Sequence, residues 1–362
     1  MASSTEAHGL GTDPSPDGFA VLQADAPDVP RAEIEDVVAR CYGLRAEATP
    51  LGSERDQNTL LRSSDGASFV FKIGNSAETA SVFSFQTAAL KHLAQQAPGL
   101  PVPRLVPTTC RDPELFWRSR DGIARRSRLV TFLPGVPMAG SDRSLGQASA
   151  FGRLAAIFDR AMQGFSHPGS HHDLLWDLKQ ASRLRDLLPF VHPTRESEQI
   201  AAVLNRFETH VHPLMGKLPF QVIHGDLNPS NVLVDPAAPD RITGLIDFGD
   251  MVFSPRVADV AVAAAYLVDR NAGSVDPILA FVAAYHDVQP LQPAEVALLP
   301  DLIATRFALS LAISAWRAER YPVNREYILR NRIAALAGLD AFSSVSPHLL
   351  ESRLRQACGL GA

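Results

Sequence analysis

The chain has 362 residues, room for roughly two or three compact units, and its hydrophobic share of 46% is that of an ordinary globular protein. Its 34 basic and 39 acidic side chains leave a net charge of −5, which argues against a nucleic-acid or anionic-membrane partner. The three cysteines, Cys41, Cys110 and Cys358, lie far apart without a Cys-x-x-Cys pair, so no zinc site or disulfide framework is expected and a reducing cytoplasm is the expected compartment.

In chain order, residues 1–30 are rich in Ser, Asp, Gly, Pro and Ala, and read as a tail with little to bury. They show neither the basic n-region nor the apolar h-region of a signal peptide. Arg31–Arg40 has Ile34, Val37 and Val38 at helical spacing. Leu51–Asn58 is turn-rich. Thr59–Ser63 and Ser68–Ile73 flank Asp65-Gly66, a hairpin signal. In the second of these strands Phe69, Phe71 and Ile73 share one face, and Lys72 shares the other with Val70. A lysine there is either an edge charge in solvent or a phosphate ligand; the motif described below favours the ligand.

Glu78–Gln96 has a helical stripe of Val82, Phe85, Ala89 and Leu93, closed by Pro98-Gly99. Strands are expected at Leu115–Arg118 and Ser127–Phe132, and Leu133-Pro134-Gly135 ends the sheet region. Helices are then expected at Leu145–Met162, Ser197–His210, Pro255–Asp269, Asp276–His286, Pro293–Ala318 and Arg325–Phe342. No apolar run approaches the length needed to cross a bilayer, and no repeat of fixed period is evident.

The chemistry is concentrated in His224-Gly225-Asp226-Leu227-Asn228-Pro229-Ser230-Asn231, followed by a strand, a turn, a strand and Asp247-Phe248-Gly249-Asp250. Asp226 and Asn231 can face one point from a tight loop, and Asp247 arrives at the end of a hairpin. One carboxylate to take a proton from a hydroxyl, with an amide and a second carboxylate to hold Mg²⁺ against phosphates, is the set that phosphoryl transfer needs. Loop Asn, Asp and Gly are common in turns, but the order of motif and strands gives these residues their weight. His171-His172-Asp173 reads as a loop before a helix rather than a metal site. His224 is expected to pack behind the loop while Gly225 allows its tight turn. Trp316 and Tyr327 are expected in the core, with a wall of the substrate pocket as the alternative for either.

Taken together, Gly52–Asn58, Phe71-Lys72-Ile73, Phe85-Gln86, Thr131–Gly135, Leu175-Trp176-Asp177-Leu178, His224–Asn231 and Ile246–Asp250 resemble the aminoglycoside phosphotransferase and choline kinase superfamily. Within it they are most similar to the hydroxylysine kinase branch, and to the kinase-like domain fused to some class III aminotransferases. The resemblance implies an α+β, bilobal, protein-kinase-like fold. An antiparallel N-terminal sheet lobe would span residues 31–133, and a mainly helical C-terminal lobe residues 134–362. It implies ATP or GTP between the lobes, with Ser53 and Lys72 on the phosphates, Gln86 as the helix partner of Lys72, and the backbone near Val130 along the base. Asp226 would be the catalytic base, and Asn231 and Asp247 the Mg²⁺ ligands. His224 and Asp259 would support the catalytic loop. Asp250, Asp177 and Trp176 would face an amine-bearing, hydroxylysine-like acceptor. Homoserine, choline and aminoglycoside kinases are the alternatives, and a non-catalytic nucleotide-binding regulatory module is the rival from another class. Gly52 stands alone where protein kinases have a glycine-rich loop.

Overall fold

The computed structural model describes residues 24–53, 55–192, 195–268, 274–322, 325–329 and 332–361. Most of the expected tail, residues 1–23, and the side chain of Tyr327 lie outside them. Ahead of the sheet, α1 (Arg31–Tyr42) ends on Gly43, whose φ of +67° is the left-handed turn that suits glycine at a helix C-terminus. The antiparallel sheet follows as β1 (Ala46–Leu51), β2 (Gln57–Ser63), β3 (Ser68–Ile73), β4 (Leu105–Val106), β5 (Leu115–Arg118) and β6 (Ala124–Thr131). Its strand order is β1-β2-β3-β6-β4, with β5 also paired to β6.

The alternation read in β3 sorts its two faces. Phe71 and Ile73 join Leu61, Leu129 and the Ile34, Val37 and Val38 stripe of α1 in a small core. Each such side chain contributes about 1.5–3 kcal/mol when fully buried. The opposite face, with Val70 and Val130, meets Phe85, Ala89 and Leu93 of α2 (Ala80–Gln96) at the edge of the larger core. Ala46–Leu51, for most of which the sequence reading assigned no element, is a strand. It pairs only with β2 within the sheet order, so Pro50 sits on an edge strand, where a missing N–H costs no ladder bond.

Past the two-residue strand β7 (Val136–Pro137) helices dominate: α3 (Leu145–Ala161), α4 (Arg195–Arg206), α5 (Val257–Ala265), α6 (Asp276–Val288), α7 (Pro293–Arg320), α8 (Arg332–Ser343) and α9 (Pro347–Ala357). The expected single helix over 325–342 appears as Arg325–Leu329 and α8, with residues 330–331 between them outside the described residues. Between α3 and α4 the chain runs through Leu178–Phe190 in 3₁₀ turns, which the sequence reading did not foresee. Helices α3 and α6 pack so closely that a Cβ at Gly152 would stand 2.1 Å from the Phe281 carbonyl oxygen.

By length and composition α7 could cross a membrane, against the expectation that no segment reached that length. Its apolar window is 83% buried inside the protein, as in a core helix. Trp316 lies in that core as expected.

Candidate active site

Two short antiparallel pairs carry the motif. β8 (Phe220–Ile223) pairs with β11 (Val252–Pro255), and β9 (Val232–Asp235) pairs with β10 (Ala238–Leu245). The loop 224–231 leaves β8 and enters β9; the segment 246–251 leaves β10 and enters β11. The Ile246 N–H donates to the Asn231 carbonyl at 2.9 Å, stitching the two loops together.

Beneath them, Asp259 projects from α5 and accepts the His224 N–H at 2.7 Å and the Gly225 N–H at 2.8 Å. Burial pushes its carboxyl up to about 6, against the opposing pull of His224 and these two N–H groups. His224 is fully buried, and burial lowers its pKa against the opposing pull of Asp259 and Asp247. Its Nδ1 lies 3.4 Å from the Asp226 N–H and its Nε2 3.2 Å from the Ile246 carbonyl, a pattern met by the tautomer that carries hydrogen on Nε2. Gly225 turns the chain at φ +78°, and a Cβ there would fall 2.2 Å from the Asp250 carbonyl oxygen. His224 and Asp259 therefore sit where the sequence placed them, behind the loop.

The two oxygens of Asp226 face different neighbours. Its Oδ2 accepts the side-chain amides of Asn228 at 2.8 Å and Asn231 at 2.9 Å. Its Oδ1 accepts Nη2 of Arg306 at 3.0 Å. Burial raises the Asp226 carboxyl to about 6; Arg306 pulls it back, while Asp250 and Asp247 add to the rise.

Asn231 also donates to the Asp226 carbonyl at 3.0 Å, which commits its nitrogen and leaves Oδ1 as its free ligand atom. Asp247 adopts φ +64°, and its carboxylate opens to the cleft. Burial alone would raise it, but the charges of Lys72 and Arg55 outweigh that and hold it below the usual carboxylate range. One ionised carboxylate and one amide oxygen fit a magnesium ion that takes its other ligands from water and nucleotide phosphates. Among the described residues no group of three or more His, Cys, Asp or Glu offers a complete metal cage by itself.

These groups line a cleft of about 480 Å³ between the sheet and the helical region. Ser53, Trp176, Asp226, Asn231, Asp247 and Asp250 all line it. Lys72 is half-buried on β3 and does not line the cleft, although its charge reaches Asp247. Asp250 is buried and ion-paired with Arg55, which comes from the turn between β1 and β2.

Three expectations change. Gln86 does not serve Lys72: its amide nitrogen donates to Glu78 at 2.8 Å and its oxygen accepts Arg128. The sheet register sets Arg128 opposite Lys72, and the Arg128 guanidinium, stacked 4.1 Å from the Phe83 ring centroid, reaches α2 and makes the contact with Gln86 that was expected of the lysine. Val130 does not reach the cleft, because β6 is flanked there on both sides, by Val70 of β3 and Leu105 of β4. Asp177 is buried outside the cleft, accepting the Ser254 hydroxyl at 2.7 Å and pairing with Lys179 at 2.6 Å. It caps the 3₁₀ segment through the Lys179 N–H and has no oxygen turned to the cleft. The sequence reading also missed Arg55, Glu78, Arg128 and Arg306. The available signal for Arg306 was a lone charge in the apolar run Leu302–Leu311.

Residues 47–299 match the phosphotransferase enzyme family. The chain belongs to that family. It is a small-molecule kinase that transfers phosphate to a hydroxyl group. Over 315 residues it is 29% identical to a hydroxylysine kinase of Danio rerio, an alignment covering 84% of this chain and 88% of that protein. A homoserine kinase of Rhizobium rhizogenes is 30% identical over 237 residues, covering 62% of this chain and 67% of that protein. An amicoumacin kinase, solved in complex with AMP-PNP and Ca²⁺, shares the fold at a TM-score of 0.66 and 14% identity, covering 88% of this chain and 96% of that one. The likeness to that structure bears out the kinase-like α+β architecture.

Proposed function

We propose that this kinase moves the γ-phosphate of ATP or GTP, with Mg²⁺, to the hydroxyl of an amine-bearing acceptor of the hydroxylysine kind. The observation that carries the reading is the placement of Asp226. Its carboxylate lies on the cleft wall, hydrogen-bonded to Asn231 on one oxygen and to Arg306 on the other. In the proposed reaction the acceptor oxygen bonds to the γ-phosphorus, the bond from phosphorus to the β-γ bridging oxygen breaks, and Asp226 takes the hydroxyl proton. Asn231 and Asp247 would hold Mg²⁺, which supplies charge neutralisation on the phosphates. Arg55 and Ser53 also line the cleft, and would stand in for the glycine-rich cover of protein kinases. Asp250 is proposed to meet the acceptor's ammonium group, in exchange for part of its pairing with Arg55. Trp176, a ring on the cleft wall, is proposed to flank the acceptor. A cytoplasmic setting belongs to the same proposal.

The similarity to a homoserine kinase keeps a second acceptor in view, a shorter hydroxy amino acid. A coupled nucleotide-consumption screen over hydroxylysine, homoserine, amino alcohols, choline and aminoglycosides, with and without Mg²⁺, tests the assignment. Turnover of hydroxylysine that depends on Mg²⁺ is the expected result. Selective turnover of an acceptor without an amine overturns the acceptor class.

A further inference from the structure

Arg55 joins the sheet side of the cleft to the motif side. It comes from the turn between β1 and β2, and its backbone carbonyl accepts the side-chain amide of buried Asn75 at 2.9 Å. The Asn75 N–H donates to the Asp56 carboxylate at 3.2 Å, so the base of the turn is tied to the chain just past β3. From that base the side chain reaches a residue 195 positions away, where Nη2 donates to Oδ1 of Asp250. The guanidinium lies against the backbone of Gly249, at which a Cβ would stand 3.2 Å from Nη2. Burial disfavours its charge, but the carboxylates of Asp250, Asp247 and Asp56 outweigh that.

Two anions have a claim on this one cation. Among the described cleft residues that precede Leu133, Arg55 is the single cation, and Asp56 and Glu78 line the same side. Lys72 acts on Asp247 without lining the cleft. A nucleoside triphosphate keeps net negative charge even with Mg²⁺ bound, and phosphates held beside Asp247 would call on the guanidinium next to it. Asp250 is the second anion. It is buried, and its charge acts on Asp226, so it stands close to the proposed base as well as to Arg55. An ammonium group arriving at Asp250 meets the charge of Arg55 already in place, and like charges sharing one carboxylate repel.

We propose that Arg55 couples the two substrates: it serves the nucleotide phosphates and competes with the acceptor's ammonium for Asp250, so that nucleotide binding draws it from Asp250 and releases that carboxylate to the acceptor. The inference rests on the phosphate and acceptor placements proposed above, and deepens them by fixing how one depends on the other. Acceptor affinity is then higher on the nucleotide-bound enzyme. By linkage, nucleotide affinity rises by the same factor when the acceptor is bound. The exchange makes and breaks no covalent bond, and phosphoryl transfer proceeds as described above.

Calorimetry with AMP-PNP, Mg²⁺ and hydroxylysine tests the coupling in the wild type, Arg55→Gln and Arg55→Lys. In the wild type, saturating AMP-PNP with Mg²⁺ should tighten hydroxylysine binding by about 10-fold or more, within the usual range of coupling between sites. Arg55→Gln should move the two ligands in opposite directions. AMP-PNP binding should weaken by about 10-fold or more, the loss of a charge-assisted hydrogen bond. Hydroxylysine alone should bind at least about 3-fold tighter than to the wild type, and AMP-PNP should then tighten it by less than about 3-fold. Arg55→Lys keeps the charge and should stay nearer the wild type in all three. A merely structural role for Arg55 predicts that both ligands bind more weakly to Arg55→Gln, and that outcome overturns the inference. Unchanged affinity for either ligand in Arg55→Gln overturns it too. Hydroxylysine binding by the wild type that ignores the nucleotide overturns it without any variant. In each of these cases, turnover of hydroxylysine by the wild type shows that the coupling has failed and the acceptor reading has not. If the wild type neither binds nor phosphorylates hydroxylysine, the acceptor reading fails and the inference fails with it.

Discussion

Replacing Asp226 with asparagine separates the proton-accepting role from the rest of the site. The side chain keeps its size, but the amide cannot take the acceptor's proton. A positioned general base contributes about 10²–10⁴-fold, or about 3–5 kcal/mol of barrier. Two effects on folding oppose each other. Burial pushes the Asp226 carboxyl up to about 6 from an ordinary 3.8, so a neutral amide relieves a desolvation cost. Yet the amide has one oxygen for two sides: turned to Asn228 and Asn231, it presents NH₂ to Arg306; turned to Arg306, it presents NH₂ to two amide donors. These terms are of similar size, and the expected net change in stability is within about 2 kcal/mol. The loss should therefore fall on kcat, with Asp247 and Asn231 still able to bind magnesium and nucleotide. Coupled assays of ADP release give kcat, calorimetry with a non-hydrolysable nucleotide gives affinity, and denaturant melts give stability. A kcat within about tenfold of wild type refutes the base assignment.

Three further outcomes follow from the same geometry. Asp247→Asn removes the charge proposed to face a hard cation, so the Mg²⁺ concentration for half-maximal activity should rise at least about tenfold, together with nucleotide KM; an unchanged Mg²⁺ titration contradicts the ligand role. Gly225→Ala sets a side chain on a backbone at φ +78° and a Cβ 2.2 Å from the Asp250 carbonyl oxygen. It should cost about 2–4 kcal/mol in denaturant melts, and a loss below about 1 kcal/mol shows that the loop can yield there. Glu78, raised to about 7 by burial and by the neighbouring Asp56, binds its proton more tightly folded than unfolded, so its favourable share of stability is complete below pH 4.5 and is lost as pH rises through about 7. Glu78→Gln should thus be more stable than wild type by about 1–3 kcal/mol at pH 8 relative to the difference at pH 4.5, and a pH-independent difference rejects the burial argument.

What the sequence disclosed is local chemistry, and what it concealed is the charge that arrives from afar. Asp226 and Asn231 are five positions apart in one loop, and Asp247 follows a hairpin, so their convergence needs little more than turn geometry. The alternation in β3 likewise told Phe71 and Ile73 from Lys72. The register of β3 against β6 is a tertiary fact, and it is this register that brings Arg128 opposite Lys72 and gives Gln86 a different partner. Asp177 looked available for substrate because Ser254, 77 positions away, cannot be paired with it by inspection. Helix α9 and strand β1 went unread because the first follows an already long helical run and the second holds Thr49 and Pro50, which resemble turn residues.

Arg306 shows how part of that hidden layer could be read. It stands 80 positions from Asp226. On either side are Leu302, Ile303, Ala304, Phe307, Ala308 and Leu309, residues that make a helix buried nearly all round. A guanidinium carried into such surroundings is strongly unfavourable unless it is paired, and removing one member of a buried pair costs several kcal/mol. A single arginine inside an apolar helix is therefore a statement that a buried acid waits elsewhere in the chain. In this sequence the acid with the strongest independent claim to a buried, functional position is Asp226. The two residues announce each other through the cost that either would incur alone, before any distance between them is known.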